Sequence, residues 1–250
     1  MKEFRIVFFI LTVSCSDAGL PGSPKVSRLE AVSHGDSLKI YWNSIEGADQ
    51  YRVYVNNSIV YEGKDTNITL FYVDSLKIEA IGLNDKVNSQ FYINNKFYED
   101  SILVIPQIEA LGFIFPKFYI YSIKDSSKFQ QFTIFFSQDS SKIGKEEFNK
   151  DSLRIFSSSL YFNKATRHKV DIYNNSKVFP FPSKDSVKLD FKKPYVLWYS
   201  PDSMGWNNVN NYFIKFIADS LIYEVDSLND TTYRIKVKYK VRTIPGLRWF

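Results

Sequence analysis

Ser37-Leu38-Lys39-Ile40-Tyr41-Trp42 and Gln50-Tyr51-Arg52-Val53-Tyr54-Val55 alternate inward-type and outward-type side chains residue by residue. A period of two marks a strand with one buried face, because successive side chains leave a pleated backbone on opposite sides. Asn56-Asn57 makes a turn after the second stretch. Ile59-Val60-Tyr61, Asn67-Ile68-Thr69-Leu70 and Leu76-Lys77-Ile78-Glu79-Ala80-Ile81 then follow. Short strands at roughly ten-residue spacing, with turn residues between them, predict an all-β sandwich. Trp42 is the candidate nucleus, since an indole flanked by alternating β-branched and aromatic residues fills a two-sheet core.

The same region carries a family resemblance. Pro24, Leu29-Glu30-Ala31 and Leu38–Trp42 are followed by Gly47-Ala48-Asp49-Gln50-Tyr51-Arg52-Val53-Tyr54, Val60-Tyr61-Glu62-Gly63, Thr66 and Lys77-Ile78-Glu79-Ala80-Ile81-Gly82. Together they resemble a fibronectin type III domain, over residues 22–90. The resemblance implies that Trp42 is the core tryptophan of the second strand, that Tyr51 and Tyr54 lie on the third, and that Ala80 ends the sixth. One position departs: the corner tyrosine usual six residues before the alanine is Asp74 here, with Tyr72 the nearest substitute. The expected domain runs over residues 26–90.

Residues 91–250 read as a larger antiparallel β-sandwich domain, Ig-like in character. Its expected strands are Tyr119–Ile123, Phe132–Phe136, Leu153–Phe156, Lys169–Tyr173, Val187–Phe191, Tyr195–Tyr199, Tyr212–Ile217, Leu221–Val225 and a basic run ending at Arg242. A short helix is expected at Ile143–Phe148, capped by Ser140 or Ser141. Phe135-Phe136-Ser137-Gln138 and Asp230–Val237 resemble parts of bacterial Ig-like domains. An Asp-Ser pair recurs at Asp36, Asp74, Asp151, Asp185, Asp219 and Asp226, each with its following serine. Both side chains bond backbone amides two residues on, so the pair bends the chain before a strand. Each such loop offers a single carboxylate, too few for a calcium site.

The N-terminus reads as an address. Met1-Lys2-Glu3-Phe4-Arg5 is charged, Ile6–Val13 is apolar, and Ser14 precedes Cys15, the one cysteine of the chain. This is the layout of a secretory signal, and the apolar run is too short to span a bilayer. Leu11-Thr12-Val13-Ser14-Cys15 resembles the lipobox of bacterial lipoproteins, although that family prefers Leu where Thr12 stands. The resemblance implies cleavage after residue 14 and lipidation of the Cys15 thiol. Residues 1–14 would then be the signal peptide and 15–25, rich in Gly, Pro and Ser, a flexible tether. The implied location is the bacterial cell envelope, at the outer membrane or cell surface rather than the inner membrane.

Chemistry is sparse. The chain has 44% hydrophobic and 17% aromatic residues, enough for a core, and a net charge of +5. Arg234-Ile235-Lys236-Val237-Lys238-Tyr239-Lys240-Val241-Arg242 alternates strictly, which reads as a strand with one wet face rather than a nucleic-acid patch. For an exported chain a glycan or lipid head group is the more natural polyanion, and no nucleic acid partner is expected. His34 and His168 read as surface residues outside any triad, and no Gly-x-Ser-x-Gly is present. No metal site and no cofactor are expected, and no catalytic residue is assigned. The neighbouring acids Glu146-Glu147 and Glu99-Asp100 would diverge on helix or strand. Trp198–Asn208 gathers two tryptophans, a tyrosine and turn-forming polar residues, making Trp206, Asn207 and Tyr199 the candidate ligand-binding residues. Pro245–Phe250 is expected to pack its aromatics into the last sheet. These readings converge on a lipid-anchored envelope protein acting as a non-enzymatic binding or structural module for a protein or glycan. The alternative is an anchored carbohydrate-active enzyme or its accessory module.

Overall fold

The alternation of Ser37–Trp42 becomes a strand whose Leu38, Ile40 and Trp42 are buried. A computed structural model describes residues 20, 22–73, 75–82, 87–93, 97–138, 149–157, 168–174, 178, 180–200 and 206–249. Cys15, Asp74, the proposed signal peptide and the expected helix at Ile143–Phe148 lie outside the described residues. The fold is all-β, with antiparallel sheets in sandwich-like layers and, among the described residues, only short 3-10 turns beside the strands.

The first seven strands are β1 (Val26–Val32), β2 (Ser37–Trp42), β3 (Ala48–Val55), β4 (Ser58–Gly63), β5 (Asn67–Phe71), β6 (Ser75–Gly82) and β7 (Val87–Ile93). They form a three-stranded sheet, β1-β2-β5, and a four-stranded sheet, β4-β3-β6-β7. Between them lie Ala31, Leu38, Ile40, Trp42, Tyr51, Val53, Leu76, Ile78 and Ala80. Trp42 meets Tyr51 and Tyr61 edge to face, at centroid distances of 5.8 and 6.5 Å, the arrangement favoured by the ring quadrupoles.

Ten further strands follow: β8 (Phe97–Val104), β9 (Glu109–Ile114), β10 (Lys117–Ser122), β11 (Ile134–Ser137), β12 (Arg154–Ser157), β13 (Lys169–Ile172), β14 (Ser186–Lys188), β15 (Pro194–Tyr199), β16 (Tyr212–Val225) and β17 (Thr231–Arg242). Their two five-stranded sheets have the orders β10-β9-β11-β12-β14 and β13-β15-β16-β17-β8. Leu111, Phe113, Ile134, Phe136 and Ile155 of the first sheet pack against Leu197, Ile214, Phe216, Val237, Tyr239 and Val241 of the second.

Three expectations change. Tyr212–Ile217 and Leu221–Val225 belong to one fourteen-residue strand, because Asp219-Ser220 forms a bulge instead of a turn. An extra residue in one strand bends it without ending the pairing. His168 is buried, its ring stacked 4.8 Å from that of Tyr199. Trp249 does not enter the last sheet, and Phe250 lies outside the described residues. Ile244, Leu247 and Trp249 complete the core of the first sandwich, where Trp249 is fully buried.

That tail joins the two sandwiches. Trp249 Nε1 donates to the carbonyls of Gly35 (3.2 Å) and Asp36 (3.1 Å). The Arg248 guanidinium bonds the His34 carbonyl at 2.9 Å and pairs with the Asp36 carboxylate. Across the same seam Asn208 Nδ2 donates to Glu30 Oε1 at 2.8 Å. Gly35, at φ +89°, permits the approach: a Cβ there would stand 2.1 Å from the Gly246 carbonyl oxygen.

Candidate functional site

The basic run on β17 acquires its neighbours through strand pairing. Lys240 lies opposite Lys215 of β16 on one side and Glu99 of β8 on the other; Lys238 lies opposite Ile217 and Ser101. Paired residues share a face, so these side chains point away from the core while Phe216 and Tyr239 point into it. A groove of about 190 Å³ lies here, lined by Lys215, Ile217, Lys238, Lys240 and Glu99 along with Phe216 and Tyr239.

Its electrostatics are unbalanced. Lys240 Nζ is 2.7 Å from Glu99 Oε1 and 3.9 Å from the centre of the Phe97 ring. Lys238 shares Asp219 with Lys192, at 3.0 and 2.5 Å respectively. Hydrogen bonds from Lys192 and then Lys238 hold the Asp219 carboxyl down at about 2. Lys215 instead rests on the Tyr173 ring, 4.1 Å from its centre. Among the described residues no carboxylate stands within ion-pair distance of its ammonium. Burial and the facing Lys240 charge both push the Lys215 ammonium below the ordinary lysine range. Four ammonium groups (Lys192, Lys215, Lys238, Lys240) thus face two carboxylates (Asp219, Glu99), leaving two positive charges in excess. Burial also raises the Tyr239 hydroxyl, to about 12, and that hydroxyl accepts from the Phe118 amide at 3.2 Å.

The candidate residues from the 198–208 stretch stand elsewhere. Trp206 is half-buried at the seam between the sandwiches, its ring 5.3 Å from that of His34 and its Nε1 donating to the Gly246 carbonyl at 2.8 Å. Asn207 Oδ1 accepts from the amides of Val209 and Asn210, both at 3.0 Å, closing a turn. Tyr199 packs inside the larger sandwich against His168 and, edge to face at 5.0 Å, Phe113. Among the described residues these contacts hold the three side chains in different surroundings. Sequence reasoning identified the wet face of β17 but not Lys215, since the pairing that sets it opposite Lys240 joins residues 25 positions apart. The isolated Lys in the apolar run Tyr212–Ile217 was the available signal: a charge on the outward side of a strand whose partner is also basic.

No protein-family model matches the chain, and no solved structure matches it. Over 65 residues, or 26% of the chain, it is 40% identical to a Kelch domain-containing protein of Saccharolobus solfataricus. That segment is 9% of the relative's length, so the likeness is local. Among the described residues no helix is long and apolar enough to cross a membrane, and no three His, Cys, Asp or Glu side chains are grouped as metal ligands.

Proposed function

We propose that this chain is a lipid-anchored bacterial cell-envelope protein that works as a non-enzymatic binding module. The anchor reading rests on the charged start, apolar run and Cys15 of the N-terminus. A three-stranded sheet facing a four-stranded one over Trp42 supports the fibronectin type III-like reading of residues 26–90, which acts as a spacer. The observation that carries the binding role is the groove on β16 and β17, where positive charge exceeds negative within a rigid sheet. A ligand that supplies negative charge completes it.

The rival, a carbohydrate-active enzyme, finds less support at this groove. Glycoside hydrolysis needs a carboxyl whose pKa is raised so that it can give up a proton to the leaving group. Asp219, which borders the groove through Lys238, is shifted the opposite way, to about 2.

Metabolic labelling with a clickable fatty acid tests the anchor. Wild type incorporates label and Cys15→Ser does not; if neither protein is labelled, the anchored reading falls. Two acyl chains hold a protein stably at a membrane where one is marginal, so the wild type fractionates with membranes and the variant is released.

A further inference from the structure

We propose that the groove between β16 and β17 binds an acidic polysaccharide, gripping its carboxylate or sulfate groups through Lys215, Lys238 and Lys240. This rests on the binding-module reading above and is independent of the lipid anchor. Like charges directly opposite one another on adjacent strands are destabilising, yet Lys215 and Lys240 are paired in that way. Lys240 and Lys238 have carboxylate partners in Glu99 and Asp219, whereas among the described residues Lys215 meets the Tyr173 ring and no carboxylate. An anion between Lys215 and Lys240 would supply the charge that the fold leaves out.

Shape narrows the class. At about 190 Å³ the groove is smaller than the roughly 300–1,000 Å³ of pockets that enclose a whole small molecule. It therefore takes a charged group projecting from something larger. Lys236, Lys238 and Lys240 occupy alternate positions on one strand, so their Cα atoms are about 7 Å apart along a line. A row of cations suits a linear polymer with regularly repeated charges. The aromatic rings alongside are covered by cations: Lys215 on Tyr173, and Lys240 and Arg242 on Phe97. Rings already engaged by cations are poorer platforms for the base stacking used by single-strand binding proteins.

The test uses the full chain carrying Cys15→Ser, so that no acyl chain contributes, and fluorescein-labelled polygalacturonate oligomers followed by anisotropy. Binding is expected, with affinity falling at least tenfold between about 50 and 500 mM salt as screening sets in; uncharged dextran should not bind. Lys215→Gln and Lys240→Gln should each weaken binding about five- to tenfold. Lys215→Gln should also hold or raise the melting temperature, because it removes a repulsion. Lys64→Gln, exposed in the first sandwich, should stay within about twofold of the parent. Lys240→Gln provides a second reading should Lys215→Gln fold poorly. The proposal is overturned if neither polygalacturonate nor chondroitin sulfate binds, or if Lys64→Gln weakens binding as much as Lys215→Gln. It is equally overturned if inorganic phosphate at matched charge competes as well as the oligomer, or if phosphatidylglycerol vesicles or single-stranded DNA bind more tightly. Binding to a neutral glycan or a protein, with none to the acidic polymers, would overturn this ligand class and leave the binding-module reading standing.

Discussion

Gly35 and Asp219 are the residues at which small changes read out the most. Gly35 adopts φ +89° beneath the tail, with the Gly246 carbonyl 2.1 Å from where a Cβ would be. Gly47 adopts a similar φ of +77°, but its nearest neighbour is the Leu20 side chain at 3.6 Å. The backbone penalty for a left-handed L-residue is therefore common to both, about 1–2 kcal/mol. Only Gly35→Ala adds a clash with backbone, which overpacking data place at roughly 1–3 kcal/mol. Urea midpoints should rank wild type above Gly47→Ala and Gly47→Ala above Gly35→Ala; equal losses would mean that the tail does not press on Gly35. At Asp219 the folded-state pKa is lowered from 3.8 to about 2 by Lys192 and Lys238. A depressed carboxyl pKa contributes stability that is present above the unfolded value and disappears as pH falls through the folded one. Asp219→Asn should therefore melt below wild type by a constant margin above about pH 4, and the margin should close towards pH 2. A difference that persisted undiminished at pH 2 would exclude the ion pairs as its source.

The β16–β17 hairpin is the element that most exceeds ordinary proportions. Its strands have 14 and 12 residues, against a usual five or six. Beyond Ile217 on one side and Ile235 on the other, neighbouring strands β15 and β8 no longer pair with it. From there Leu221–Val225 pairs only with Thr231–Ile235, and Tyr223, Val225 and Leu228 are 69%, 57% and 80% exposed. A lone two-stranded ribbon is marginal in water, so this arm adds little to the stability of the body. Replacing residues 222–234 by Asn-Gly should shift the melting temperature by no more than about 2–4 °C, equivalent to about 1 kcal/mol in a chain of this size. A larger loss would show that the arm packs on the body. The arm also illustrates what the sequence made legible. Strands with one buried face, such as Ser37–Trp42, follow from alternation alone, whereas Tyr195–Tyr199, with Tyr195, Val196 and Leu197 all buried, follows from an unbroken apolar run rich in aromatic and β-branched residues. Phe97–Val104 was missed because it is an edge strand, where Glu99, Asp100 and Ser101 are all exposed and no apolar face repeats. The continuity of β16 was missed because Asp-Ser has the same local chemistry in a bulge as in a turn. Half of the candidate site, the basic face of β17, was visible; Lys215 was not, because register is a property of two strands rather than one.

At the scale of the whole molecule, the two sandwiches share a core through the tail. Ile244, Leu247 and Trp249 come from the chain beyond β17, yet they belong to the cluster around Trp42, Tyr51 and Ile78. Trp249 also faces the larger sandwich, since its carbonyl accepts from Arg242 Nε at 3.1 Å and it bridges Val178. Local contacts could not announce this, because residues 34–36 and 248–249 are more than two hundred positions apart. The physical consequence is cooperative unfolding: the first sandwich can expose its core only by releasing a segment continuous with β17. Removing a fully buried large aromatic typically lowers stability by about 3–5 kcal/mol through lost burial and a residual cavity. Trp249→Ala should therefore split a single calorimetric transition into two. The earlier melting should belong to the first sandwich, and the later one should stay near the wild-type temperature. Trp206, whose ring lies tilted against that of His34 across the seam, reports the event by fluorescence, its emission moving to the red at the first transition. A single transition displaced as a whole would mean that the sandwiches are welded by more than the tail. An unchanged profile would mean that Trp249 is not seated in the first core at all.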